Sequence, residues 1–171
     1  VPVDSSGILR VDDSNKFKSD LAEKTLASHE SGGLDNAMED ADVFIGLSAP
    51  GIVSEEMVES MSDDPIVFAL ANPEPEILPD KAKDAGAYIT ATGRSDFDNQ
   101  VNNSLAFPGI FRGALDADVS QITEEMKAAA SEAIRDFVEP ERDRIVPETL
   151  DQSLALEIAD RVREAAEESN T

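Results

Sequence analysis

Apolar residues in the first half of the chain fall into short unbroken blocks. Val43-Phe44-Ile45-Gly46-Leu47, Ile66-Val67-Phe68-Ala69-Leu70 and Ala87-Tyr88-Ile89-Thr90-Ala91 dominate it. None alternates polar with apolar, and turn residues bound each one. Runs of this kind predict strands buried on both faces, as in a parallel sheet. Their starts at 43, 66 and 87 have the spacing of strand–helix repeats. Val1 to Asp4 reads as one more strand, ending in an acid.

Helical patterns fill the gaps. Phe17 to Ser28 is expected as a helix on the first crossover. Ser54 is a natural N-cap, with Glu55 and Glu56 in the first turn where the helix dipole favours acids. Pro79 and Asp80 open another helix, and Gly86 ends it. The second half changes character. Thr123 caps a segment with Met126, Ala130, Ala133, Ile134 and Phe137 on one face, and Asp151 caps one with Leu154, Ile158, Val162 and Ala165 on one face. Both have the spacing of amphipathic helices, and Pro140 and Pro147 bracket the link between them. The expected fold is α/β: a Rossmann-like doubly wound parallel sheet over residues 1–122, with C-terminal helices over 123–171 packed on it.

Charge changes the picture of the surface. The 171 residues carry 37 acids against 14 bases, a net −23. Apolar residues gathered in blocks argue for a folded domain rather than a disordered acidic chain. Repulsion at this charge calls for screening, and the Debye length falls to roughly 3 Å at 1 M salt. Sparse lysine and acids on every expected surface point to a salt-loving cytoplasm. The same charge disfavours nucleic acid and anionic membranes as partners. The chain has no cysteine, and no membrane span or signal peptide is visible, so a cytoplasmic protein is expected. With Val1 in place of an initiator Met, a fragment or a processed product is expected.

Ligands of open α/β sheets sit at the carboxyl ends of the strands. There the sequence reads "DSSG" with Asp4, "SAPG" from Ser48 through Ala49 to Gly51, "ANPEPE" with Asn72, and "TGRSDFDNQVNN" with the adjacent amides Asn102 and Asn103. Small residues, amides and a lone acid suit a polyhydroxylated ligand. On spacing alone, Asp4 is equally a ribose ligand or a turn-forming acid before Gly7. Ser48 to Gly51 is also a good strand–helix turn, and an Asn before Pro, as at Asn72, is mostly a turn residue. The lone His29 reads as a surface residue. The acid pairs Asp12-Asp13, Asp63-Asp64 and Asp96/Asp98 read as solvated surface rather than metal sites. A phosphate-binding glycine fingerprint, a P-loop and a GxSxG elbow are all absent, and no catalytic acid/base pair or nucleophile stands out.

Taken together, "ADVFIGLSAPG", "IVFALANPEPEI", "TGRSDFDNQVNNSLAFPGIFRGALD" and "IVPETLD" resemble the nicotinamide-binding domain of malic enzyme, the malate oxidoreductase that decarboxylates, in its bacterial and archaeal form. The resemblance implies oxidative decarboxylation of malate to pyruvate with NAD or NADP. It places Asn103 on the malate carboxylate and Asn102 on the nicotinamide side, in a helix ended by Phe107-Pro108-Gly109. Asn72 would face the nicotinamide ribose, Ser48 to Gly51 the adenosine half, and Asp4 the ribose next to adenine. An amide suits such a place, since it both donates and accepts and carries no charge to repel an anionic substrate. The family's glycine fingerprint, its catalytic tyrosine and lysine and its carboxylate ligands for Mg²⁺ or Mn²⁺ have no counterpart here. The chain therefore looks like the second part of the enzyme. It carries no catalytic residue or metal ligand of its own, and alone it is expected to be inactive.

That location raises a physical problem. In the doubly wound order the first strand lies between the second and fourth. Val1–Asp4 would be the second and Val43–Leu47 the fourth, so a missing N-terminal region is expected to fill a gap between them. The protein is also expected to form a homo-oligomer, as the family usually does. Asp4 favours NAD over NADP by repelling a 2′-phosphate, whereas Arg10, Lys16 and Lys18 would attract one. The alternative function is a non-catalytic Rossmann-like relic or dinucleotide-binding module.

Overall fold

The computed structural model describes residues 1–25, 31–149 and 151–169. Its centre is a parallel sheet of β3 (Val43–Gly46), β4 (Ile66–Ala69) and β5 (Ile89–Thr92), in the order β3-β4-β5. Val43 pairs with Ile66 and Ile66 with Ile89, so the three strands run level and end together. Each apolar block of the sequence thus supplies one strand. Short helices make the crossovers: α2 (Leu34–Met38) before β3, α3 (Glu55–Glu59) before β4 and α4 (Pro79–Asp84) before β5. Ser54 caps α3 by accepting from the Met57 N–H. Pro79 stands in the first turn of α4, and Gly86 takes the positive φ that leads out of it. This parallel sheet with crossover helices is a Rossmann-like α/β fold.

Among the described residues the sheet is covered on both faces at β5, where Thr90, Ala91 and Thr92 are all buried, but on one face only at β3. Phe44, Val67 and Ala69 are buried with Met38, Val58, Met61, Ala82 and Ala85 from the helix side. The alternate residues point the other way. Val43 and Ile45 are exposed, Ile45 by 60%, and Leu47 just beyond β3 by 77%. Burial on both faces, expected from the unbroken apolar runs, is therefore not met at β3. The hydrophobicity is present but its cover is not.

The first strand also departs from expectation. β1 (Val3–Asp4) does not join the parallel sheet; it forms a small antiparallel hairpin with β2 (Gly7–Ile8). Its turn brings Gly7 within 2.4 Å, measured from an ideal Cβ, of the Gly32 carbonyl, at a φ of 108° that excludes a larger residue. Helix α1 (Lys16–Lys24) follows, capped by Asn15. The remainder of the helix expected over Phe17 to Ser28 lies in part outside the described residues, as does His29.

Three helices form a second core. They are α5 (Phe107–Asp116), α6 (Glu124–Asp136) and α7 (Gln152–Ser169). Thr123 caps α6 by accepting from the Met126 N–H at 3.3 Å, and Asp151 accepts from the Ser153 N–H at 2.8 Å at the start of α7. Met126, Ala130 and Ala133 meet Leu154, Ile158, Val162 and Ala166, with Ala114 from the first of the three and Leu105 from the turn before it. Phe107-Pro108-Gly109, expected to end a helix, instead opens α5. Proline's missing N–H costs nothing in a first turn, so the same tripeptide serves as a start signal. Gly109 and Gly113 then let α5 lie directly on α7. A Cβ at Gly113 would come within 2.5 Å of the Ala159 carbonyl.

Candidate dinucleotide cleft and the paired asparagines

The loops leaving β3, β4 and β5 converge on one cleft of about 610 Å³. Gly51 and Val53 come from the first loop, Glu74 to Leu78 from the second, and Arg94 and Phe97 from the third, with Lys81 on α4. This is the carboxyl end of the sheet, where a ligand of an open α/β fold belongs. Two cations line it in a chain of net −23. The Arg94 guanidinium stands 5.4 Å from the centre of the Phe97 ring, and Asp96 holds it through two bonds of 2.7–2.8 Å. That pairing raises the Arg94 pKa and lowers that of Asp96. Lys81 reaches Glu55 at 4.0 Å.

Of the residues singled out in the sequence, Gly51 lines the cleft and takes a positive φ of 67°, with open space where a side chain would stand. Ser48 and Ala49 are exposed on the same loop. Asn72 is exposed at the start of the next loop, on a cis peptide bond to Pro73. Asp4 ends β1 in the hairpin and does not lie at the carboxyl end of the parallel sheet. Its carboxylate pairs with Lys18 and accepts from the Ser6 N–H at 2.7 Å. The Lys18 bond first, and the Ser6 N–H second, hold its pKa below the ordinary carboxylate value. Arg10 pairs with Asp12. Two of the cations expected near a 2′-phosphate are thus already occupied by acids.

The adjacent amides divide their labour. The Asn102 Oδ1 accepts from the Ser104 N–H at 3.0 Å and caps the 3₁₀ turn Asn103–Leu105. Its Nδ2 donates to the Gly93 carbonyl at 3.3 Å. Gly93 precedes Arg94, so Asn102 ties the turn to the rim of the cleft. Asn103 is exposed, and among the described residues its side-chain amide makes no hydrogen bond. One amide builds the platform, and the next stands free on it.

Two further polar residues emerge only in three dimensions. Asn99, buried at a φ of 54°, donates to the carbonyls of Thr90 and Arg142 at 3.0 Å each and accepts from the Ile145 N–H at 2.8 Å. It staples the β5 strand to the 142–145 loop. The clue in the sequence was a third asparagine in "DNQVNN", a residue type that tolerates positive φ. Glu76 is fully buried beneath the cleft. In a chain with so many acids the only clue to it was its place between Pro75 and the apolar Ile77. The Asp96/Asp98 pair resolves into separate ion pairs, Asp96 with Arg94 and Asp98 with Lys83 at 3.7 Å. Among the described residues no three His, Cys, Asp or Glu side chains come together to hold a metal ion.

The family model described as "Malic enzyme, NAD binding domain" matches residues 1–167. The chain belongs to this family. It is 48% identical to the bifunctional malic/malolactic enzyme of Bacillus subtilis, over 99% of this chain and 43% of that protein. It is 41% identical to an NADP-dependent malic enzyme of Halomonas elongata, over 99% of this chain and 44% of that one. The crystal structure of an NAD-dependent malic enzyme from Thermotoga maritima superposes with a TM-score of 0.88 at 45% identity, covering 94% of this chain and 44% of that chain. The malic enzyme domain described here therefore spans less than half the length of these relatives. Its relatives include both NAD- and NADP-dependent enzymes. No described helix is long and apolar enough to cross a membrane.

Proposed function

We propose that this chain is the nicotinamide-binding part of a decarboxylating malate oxidoreductase, and that NAD or NADP lies in the cleft at the carboxyl end of the sheet. The convergence of three strand-end loops on one cleft at the carboxyl end of the sheet carries this reading, together with the family. The cleft's chemistry fits a dinucleotide. Arg94, paired with Asp96, and Lys81, 4.0 Å from Glu55, would have to share their charge with an anionic ligand, and the open backbone at Gly51 admits close approach. Ser48, Ala49 and Gly51 would hold the adenosine half, Asn72 the nicotinamide ribose, and Asn102 the nicotinamide side through the platform it builds. Asp4 is proposed for the ribose next to adenine, a role that requires it to share its carboxylate with Lys18. Asn103, with its free amide, would hydrogen-bond the malate carboxylate.

Bound in this cleft, NAD or NADP would supply a hydride acceptor for C2 of malate. This chain's part is to orient the two ligands so that C2 faces the ring. Among the described residues no three His, Cys, Asp or Glu side chains come together, and on this reading Mg²⁺ or Mn²⁺ would be held by residues outside this chain. A base for the C2 hydroxyl belongs there as well. Assembly into a homo-oligomer and a cytoplasmic, salt-rich setting complete the proposal.

The test is direct binding of NADH in molar KCl, followed by nicotinamide fluorescence, with competition by NAD. Saturable, competed binding supports the reading, and its absence counts against it. The isolated chain is expected to show no malate-dependent reduction of NAD(P), with or without Mn²⁺. Turnover that survives repurification and disappears in Asn103→Ala would mean that the chain holds a complete active site.

A further inference from the structure

Glu76 lies in the wall of the cleft and touches the loops that build it. Its side chain is 0% exposed. Oε1 accepts from the Ser48 N–H at 2.8 Å, and Oε2 accepts from the Ala71 N–H at 3.0 Å. The backbone adds to this grip. The Gly51 N–H donates to the Pro75 carbonyl and the Val53 N–H to the Glu76 carbonyl, each at 3.1 Å. One short segment therefore holds the loop after β3 from Ser48 to Val53 and, through Oε2, the first residue before Asn72. Among the described residues no lysine or arginine pairs with this carboxylate, so the two N–H groups are what compensate its burial. Room for it comes from Gly46, where a Cβ would lie 2.4 Å from the Glu76 Cδ.

We propose that Glu76 is a positioning residue that sets dinucleotide affinity. It fixes the loop carrying Ser48, Ala49 and Gly51 against the loop carrying Asn72, so that both meet one ligand at a set spacing. The proposal rests on the dinucleotide reading above. Only a carboxylate does this work. It has acceptors on both oxygens, whereas a carboxamide turns an NH₂ toward one of the two backbone donors and releases that loop. Bonds to an ionised acceptor are also the stronger ones.

The test uses the full-length protein that carries this chain, with Glu76→Gln and Gly46→Ala. The second variant keeps the carboxylate but drives a methyl into it. Each is expected to weaken NADH binding by about tenfold, as fits the loss of one charge-assisted bond. The malate KM should stay within about twofold at saturating NAD, because Asn103 is on a different loop. Amide exchange at Ser48 or Ala71 should quicken while exchange in the α5–α7 core holds. Unchanged NADH affinity in both variants overturns the proposal. So does a parallel loss of NADH and malate use, or a failure of both variants to fold, since each makes Glu76 a residue of general stability. If Glu76→Gln alone fails to fold, Gly46→Ala decides. A parent protein that binds no NADH refutes the dinucleotide reading itself, whereas a binding parent with equally binding variants refutes only this role of Glu76.

Discussion

Neighbouring residues of one type can have unrelated tasks, and the two asparagines are a case that can be measured. Asn102 has both ends of its amide committed to backbone groups, while the side chain of Asn103 has no hydrogen bond among the described residues. Asn103→Ala, made in the complete protein, is expected to lower kcat/KM for malate by about tenfold or more, the cost of one bond to a charged group. Its melting temperature and NADH affinity should stay close to those of the parent. Asn102→Ala should do the opposite first. Losing the cap costs about 1 kcal/mol of stability, seen as a lower melting midpoint, with weaker substrate use following from a loosened platform. A pair of variants that cannot be told apart by melting would refute this division. The amides stood out in the sequence as a pair, but nothing in their order told which was free. That depends on Gly93 and Ser104, which the fold brings to Asn102. Asn99 and Glu76 were harder still, because each acts on backbone groups of segments far away in the chain.

The elements were the most legible scale, and the exceptions have a common cause. The strands and the caps Ser54, Thr123 and Asp151 could be read locally, since propensity and capping depend on a few consecutive residues. Orientation could not. Phe-Pro-Gly is equally a stop or a start, and the packing of α5 against α7 decides between them. That packing offers a clean test. At Gly113 an added methyl meets the Ala159 carbonyl at 2.5 Å and the Val162 Cβ at 2.8 Å, both on the buried side of another helix. Gly113→Ala is expected to cost about 1–3 kcal/mol by overpacking, despite alanine's better helix propensity. Chemical denaturation would show it as a lower midpoint at unchanged slope. A neutral or stabilising result would mean that the two helices have room to separate. The other side of α5 has no cover among the described residues. Phe107, Phe111 and Leu115 lie one turn apart and are all at least half exposed, with the two rings 5.8 Å apart. A local reading of amphipathicity registers their hydrophobicity but does not say what stands opposite.

At the scale of the whole molecule, charge and open surface act together. Val43, Ile45 and Leu47 on the sheet and the outer face of α5 are apolar surface, while −23 charges spread over the remainder oppose compaction. Part of the acid array is held in exposed ion pairs, among them Asp143 with Lys83 at 2.9 Å and Asp136 with Arg135 at 2.8 Å. In each the cation's hydrogen bond is the main cause that lowers the carboxyl pKa. A folded-state pKa below the unfolded value gives stability that is present above the unfolded carboxylate value of about 4 and lost as pH falls through the depressed folded value. Melting in acid should therefore show a falling midpoint below about pH 4, and replacing Asp143 with Asn should flatten part of that fall. At neutral pH these pairs are intact and the net charge governs. Salt then has two effects: it weakens the exposed pairs, each worth little, and it screens the repulsion among the many unpaired acids. The second should win, because acids outnumber bases 37 to 14 and there are too few cations to pair with them all. KCl also strengthens apolar burial less than sulfate does, so a rise in KCl reports chiefly on screening. The melting midpoint is expected to climb steadily from tens of millimolar to molar KCl and then level off once the Debye length is about 3 Å. A flat or falling midpoint over that range would show that the acids are tolerated without screening and that apolar contacts alone set the stability of this fold.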